Sequence, residues 1–327
     1  MIVIICQACA AGRRAAAGAG CQGRGRGGLL SCAKLVHTIS MDSWESGSMY
    51  RMPVGFGPSW GPRQGPDGRR FTGEPIRTTL VTVGFRTDPV ALGEILPPRF
   101  TPDDDPIVTV RLQCNLGFPW LAGRGYDYLE VLCRARFKGE RDESDGDFVA
   151  VMWENMAEPI IVGREEAGHP KLFAEIPPLV TGEGFLHAAA SRFGFEFFSL
   201  DFQGEGMTLG AWPFDREEHT PLATSGQGLS PRPRLNYKYM PNSARPGCAD
   251  VAQVVKIPAG VYQQRILDRW DGNGTARFNA ATWEQLPVYG QVVTALSRLP
   301  WLSAAGASVM RIVKYTNDLR DDLSILH

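Results

Sequence analysis

Lysine is scarce in this chain. Only six of its 34 basic residues are lysine (Lys34, Lys138, Lys171, Lys238, Lys256 and Lys314), so arginine supplies most of the positive charge. An amine can lose its proton and a guanidinium cannot, which makes a lysine set in an apolar stretch the better candidate for chemistry. No apolar run approaches the ~20 residues that cross a bilayer as a helix. The segments LVTVGF from Leu80 and PIIVG from Pro159 are typical, and no membrane partner is expected. Neither sign of charge prevails. A formal net charge of -1, without a basic stripe, argues against a nucleic-acid partner. Acidic residues are missing from residues 1–40, which instead hold Cys6, Cys9, Cys21 and Cys32, four of the seven cysteines. Cys6 and Cys9 form a CxxC pair, but no second pair or histidine cluster completes a zinc site, and no metal is expected. The remaining Cys114, Cys133 and Cys248 are scattered and odd in number, as free thiols in a reducing compartment are, so the cytoplasm is the expected location.

What is present is an ordinary globular composition, with 43% hydrophobic residues over 327 positions, enough for a substantial core. Residues 1–51 read as a disordered leader or as a start assigned too early, with Met41, Met49 and Met52 as alternative starts. Residues 52–327 read as one domain. Its first part, 52–73, is dense in Gly and Pro and predicts an extended arm draped over the domain. TTLVTVGF from Thr78 predicts a strand. Thr87 or Asp88 then caps, and Pro89 opens, a short helix ending at Pro97 and Pro98. PIVTVRLQC from Pro106 alternates Val108, Val110 and Leu112 against Thr109, Arg111 and Gln113, so its polar side faces a cavity or water. YLEVLCRARF from Tyr128, FVAVMW from Phe148, FLHAAASRFGFEFFSL from Phe185 and VAQVVKI from Val251 continue the strand pattern, with residues 140–147 as a solvated hairpin loop. Helical spacing over several turns is confined to the stretch from Ala280 to Leu299, where Pro287 predicts a kink. The sum is an α+β domain, mainly antiparallel β with peripheral helices.

The segment GDFVAVMWENMAEPIIVGREEAGHPKLFAEI, Gly146 to Ile176, carries an acidic strand end, an EPxxxGRE turn and a Pro-Lys pair. It resembles the central segment of the acetoacetate decarboxylase superfamily. Three further pieces agree in order: FRTDPVALGEILPP from Phe85, Tyr128-Leu129-Glu130, and LNYKYMPN from Leu235. The resemblance spans roughly Arg77 to Gln264. It implies a strongly curved antiparallel β-barrel or cone with outer helices, no cofactor, and assembly into a homo-oligomer. It implies Lys171 as the Schiff-base lysine, Glu130 as a catalytic carboxylate of the cavity, and Arg77 as the arginine for the substrate carboxylate. Two positions depart from the family pattern: Leu172 stands where the decarboxylases have a second lysine, and Arg111 falls near a family glutamate, which makes it a second candidate for binding substrate. Arg164, Glu165, His169 and Leu172 are expected to support the site, the first two by fixing the turn.

An amine attacks a ketone only when neutral, and an unperturbed lysine of pKa about 10.4 is neutral in roughly one molecule in 2500 at pH 7. Such chemistry requires a site that disfavours the ammonium form, by burial or a neighbouring cation. Once formed, a protonated imine is an electron sink. In a β-keto acid it accepts the electrons released as CO2 leaves, and in a 2-keto acid it acidifies the adjacent carbon, allowing aldol addition or dehydration. A lyase that decarboxylates a β-keto acid through Lys171 is the expected function. An aldolase or dehydratase on a 2-keto acid, and a non-catalytic barrel that binds a small ligand, are the alternatives.

Overall fold

The computed structural model describes residues 47–71, 73–223, 232–260, 263–315 and 322–327. The four N-terminal cysteines, and residues 1–46 of the leader expected over 1–51, lie outside them. The first strand, β1 (Pro75–Arg86), is the β-branched run read from the sequence. Helix α1 (Pro89–Gly93) follows, with Pro89 in its first turn and the Asp88 side chain accepting from the Ala91 N–H. It stops four residues before Pro97. β2 (Phe100–Pro102), β3 (Ile107–Phe118), β4 (Arg124–Lys138) and β5 (Glu143–Glu154) come next. The acidic stretch 140–147 is therefore mostly strand rather than loop, because β4 offers it partners: Arg136 Nε lies 2.9 Å from Asp145 and Lys138 Nζ 3.1 Å from Glu143. Such cross-strand pairs of opposite charge favour the ladder.

The EPxxxGRE segment, expected as a turn, is helix α2 (Ala157–Ala167). Pro159 and Gly163 are weak helix formers and hide it from a propensity reading. Tertiary contact holds it, with the Lys238 amine donating to the Glu165 and Glu166 carbonyls at its C-terminal end, and Gly168 closing it at φ 66°. The chain returns as β6 (Lys171–Phe173), parallel to β5. It continues through β7 (Val180–Gly182), β8 (Phe185–Arg192), β9 (Phe195–Gln203), β10 (Arg234–Pro241), β11 (Ala249–Ile257), β12 (Gln263–Phe278), α3 (Gly290–Ser297), β13 (Ser303–Tyr315) and β14 (Ser324–Leu326). The long helix expected from Ala280 is confined to α3. Pro287 does not kink it but precedes its start, as a residue without an N–H does most easily.

Among the described residues fourteen strands form one curved sheet, almost wholly antiparallel, in the order β14-β11-β10-β5-β4-β3-β1-β13-β12-β9-β8-β7, with β2 beside β4 and β6 beside β5. The path has two ends, so the curve does not close into a barrel. No helix of the described residues is long and apolar enough to cross a membrane.

The sheet has two unlike faces. One carries Val81, Val83, Val108, Val110, Leu112, Leu129, Val131 and Trp153 into the main core against Phe197, Phe198 and α3. The other carries small apolar clusters around Leu80, Met310 and Ile312, and around Leu132, Val149 and Met152. Between and beside these stand buried Arg111, Gln113, Asn115, Glu130, Glu154, Lys171 and Lys314. A bulge in β5 sorts residues between the faces. Val131 pairs with Val151 but Leu132 with Val149, leaving Ala150 extra. Phe148 and Ala150 pack on the core side and Val151 joins them, so Met152 and Glu154 turn to the polar face. Without the extra residue, strict alternation would send Glu154 into the core.

Candidate active site

Strand register builds the centre. Arg111, Glu130, Met152 and Lys171 are successive cross-strand partners over β3, β4, β5 and β6, so their side chains share the polar face. Lys171 is buried. Its Nζ lies 2.8 Å from Glu154 Oε1 as an ion pair and donates an aligned hydrogen bond of 2.9 Å to the Pro159 carbonyl. Glu154 is fully buried, and beyond this ion pair neither of its carboxylate oxygens has a hydrogen-bond partner among the described residues. Burial pushes the Glu154 carboxyl up from its ordinary range, an effect that the Lys171 charge opposes.

Helix α2 makes room for the amine. A Cβ built on Gly163 would stand 2.5 Å from Lys171 Cε and 2.6 Å from Nζ. Arg164 Nη1 donates to the Lys171 carbonyl at 2.9 Å, fixing the strand that presents the lysine. Glu165 and Glu166 face the arm: Arg51 pairs with both, and Arg63 Nε lies 3.4 Å from Glu166. His169 stands beside the amide of Asn236, whose Nδ2 also donates to the Ala167 carbonyl.

Above the amine opens a cavity of about 190 Å³. Aromatic side chains form one wall, Phe118, Trp120, Tyr126 and Tyr128, with Phe118 and Tyr126 stacked at 4.6 Å between centroids. The arm contributes Pro62 and Phe71, α2 contributes Val162 and Gly163, and His169, Ile257 and Leu323 complete the lining. Among the described residues, the charged groups at its surface are Lys171, Arg234 and Lys314 against Glu154, a cationic excess suited to an anionic ligand.

The residues expected from the sequence are distributed unevenly about this cavity. Glu130 is fully buried beneath it, accepting from Arg234 Nη2 at 2.7 Å and Gln113 Nε2 at 3.4 Å, with Arg111 at 3.8 Å. Arg111 is also buried, away from the lining. Arg77 requires correction. Ile76 faces the cavity, so the alternation of β1 turns Arg77 to the other side, where it pairs bidentately with Glu217 and lies over the Phe214 ring. Leu172, next to Lys171 on β6, likewise points away and packs on the main core. Glu154, Arg234 and Lys314 are charged groups of the cavity that no motif in the sequence marks as site residues. Glu154 is the acidic end of the strand before the EPxxxGRE segment, but its face is set by the bulge in β5.

The acetoacetate decarboxylase (ADC) family model matches residues 51–313, most of the chain, and the protein belongs to this family of enzymes. No curated protein matches the sequence. Among solved structures the chain is similar to the acetoacetate decarboxylase from Legionella pneumophila subsp. pneumophila str. Philadelphia 1, at 19% identity and TM-score 0.53, over 77% of this chain and 88% of that one. It is similar to an acetoacetate decarboxylase-like enzyme from Sphingomonas wittichii RW1, at 16% identity and TM-score 0.54, over 80% and 97%. It is also similar to the enduracididine biosynthesis enzyme MppR complexed with pyruvate, at 17% identity and TM-score 0.50, over 76% and 91%. At these identities the likeness establishes the fold.

Proposed function

We propose that the protein is a lyase that decarboxylates a β-keto acid through an imine at Lys171. One observation carries this reading: a buried amine at the base of a small cationic cavity, 2.8 Å from a carboxylate whose own affinity for protons is raised by burial. Glu154 is the acceptor at hand for the proton the amine must shed. The neutral Nζ adds to the ketone carbon, and Glu154 hands the proton back to the hydroxyl of the adduct, which leaves as water to give a protonated imine. The bond to the carboxylate then breaks, its electron pair enters the iminium, and CO2 departs. Glu154, ionised again by then, takes up a proton from solvent and delivers it to the enamine carbon, and hydrolysis of the imine releases the ketone and the amine. The aromatic wall excludes water and accepts an apolar substituent on the acid.

The rival reading gives the same amine a 2-keto acid for aldol addition or dehydration, and the fold shared with a pyruvate-complexed enzyme motivates it. Borohydride reduction in the presence of a panel of β-keto and 2-keto acids, with mass spectrometry of the peptide around Lys171, is the test. An adduct on Lys171 together with CO2 release supports the proposal. An adduct with new carbon-carbon bonds or loss of water selects the rival, and no adduct on folded protein leaves a binding protein.

A further inference from the structure

Lys314 is a second buried lysine of the cavity, brought there by β13, a strand that the motifs around Lys171 do not include. It pairs across the sheet with Ile76 on β1 and Gln264 on β12. Its Nζ donates to Gln113 Oε1 at 3.1 Å and to Asn115 Oδ1 at 3.2 Å. Both acceptors are neutral amides, and they are themselves fixed: Gln113 Nε2 donates to Glu130, and Asn115 Oδ1 also accepts from Thr78 Oγ1 at 2.8 Å. Among the described residues, the charged groups that face Lys314 are Arg234 from β10 and Glu130 from β4. Glu130 already accepts from Arg234 at 2.7 Å. Arg234 thus has its counter-charge, and Lys314 has two amide oxygens.

We infer that Lys314, held by Gln113 and Asn115, is the cavity's carboxylate-binding subsite, and that it takes up a proton as the carboxylate arrives. A neutral amine has two N–H donors, and the two amides satisfy both. An ammonium has a third N–H, and a carboxylate entering the cavity supplies both its acceptor and its counter-charge. Burial and the nearby Arg234 guanidinium bring the Lys314 pKa down to about 7, so at neutral pH the free site is divided between the two forms. The position expected to supply this cation, Arg77, faces the other way, while Lys314 pairs with its neighbour Ile76 on the cavity side. The subsite deepens the keto-acid reading of the same cavity and rests on it for the identity of the natural ligand.

Butyrate, which has no ketone and forms no imine, separates the two. Calorimetric titration of the full-length protein with butyrate, in buffers of different ionisation enthalpy near pH 7, reads proton uptake directly. The expected result is saturable binding with uptake of about half a proton per site, set by linkage, and no comparable binding of butyramide. Lys314→Met is expected to weaken butyrate binding by about tenfold or more, the loss of one charge-assisted hydrogen bond, and to abolish the uptake. Lys314→Arg, permanently charged, is expected to bind butyrate without uptake. Binding by the unaltered protein with no proton uptake, equal binding of butyramide, no saturable binding of butyrate, or uptake retained in folded Lys314→Met would each overturn the inference. Failure of borohydride trapping at Lys171 alongside intact butyrate uptake would remove the imine chemistry and leave this subsite standing.

Discussion

At the residue scale the position of the Lys171 amine depends on an absence, the missing side chain of Gly163. The atoms a Cβ would meet there are the flexible end of Lys171, which moves at little cost to folding but leaves its place beside Glu154. Gly163→Ala is expected to keep the melting temperature nearly unchanged and to lower turnover and borohydride trapping by about 100-fold, the effect of roughly 1 Å of misplacement. Circular dichroism melts and adduct yields on the same samples check it, and trapping at the original yield refutes it. Glu154 carries the second expectation. Replacing it with Gln keeps its shape but removes the proton acceptor, and general-base loss is worth about 10²–10⁴ in rate. Because burial raises the Glu154 carboxyl above the ordinary carboxylate range, the rate should climb with pH as that group deprotonates. The Gln variant should lack this limb, and a pH–rate profile that keeps it assigns the proton transfer elsewhere. Lys171 was legible because a Pro-Lys pair in a chain with few lysines stands out without any fold. Arg234 was not, since nothing in PRPRLNYKYM distinguishes an arginine that lines a cavity from one that faces water.

At the scale of elements, β5 and the N-terminal arm decide what the cavity contains. The sequence showed the alternation of β3, where Arg111 and Gln113 share the face opposite Val108 and Val110. It could not show that Ala150 is an extra residue, because a bulge is a property of a pair of strands and leaves no mark on one. Helix α2 was hidden for a related reason: its Pro and Gly serve the lysine and the packing rather than helix propensity. The Gly/Pro-rich arm was legible as irregular chain. Its fastening was not, since it depends on Arg51 meeting Glu165 and Glu166 more than a hundred residues away. This fastening brings Pro62 and Phe71 over the amine. Arg51→Met is expected to free the arm, weakening ligand binding by about tenfold, the equivalent of roughly 1.4 kcal/mol, and to make the 51–71 segment the first site of limited proteolysis. Unchanged affinity and an unchanged cleavage pattern would show that the arm stays in place without this pair.

For the whole molecule, the two-faced sheet places a layer of buried charge beside an apolar core, and that layer makes global stability depend on pH. Lys314 gives the clearest term. Its pKa is 10.5 when unperturbed and about 7 in the folded protein, so between these values the unfolded chain binds more protons than the native one. Stability must therefore rise with pH across this window, and the full penalty of the buried ammonium is present below about pH 7. The slope contributed by a single such site approaches about 1.4 kcal/mol per pH unit, so from pH 7.5 to 9 it adds about 2 kcal/mol, readable against a typical total of about 5–15 kcal/mol. The sign is opposite for Glu154, whose raised pKa favours the native state at low pH and loses that advantage as pH climbs from about 4.5, a window that starts lower. Denaturant unfolding of the unaltered protein and of Lys314→Met at both pH values isolates the lysine. The gain between pH 7.5 and 9 should be larger in the unaltered protein by about 2 kcal/mol, the proton-linkage contribution of this one amine. Equal gains in the two proteins would mean that Lys314 is charged in the folded state throughout, and the cavity would then hold a fixed cation.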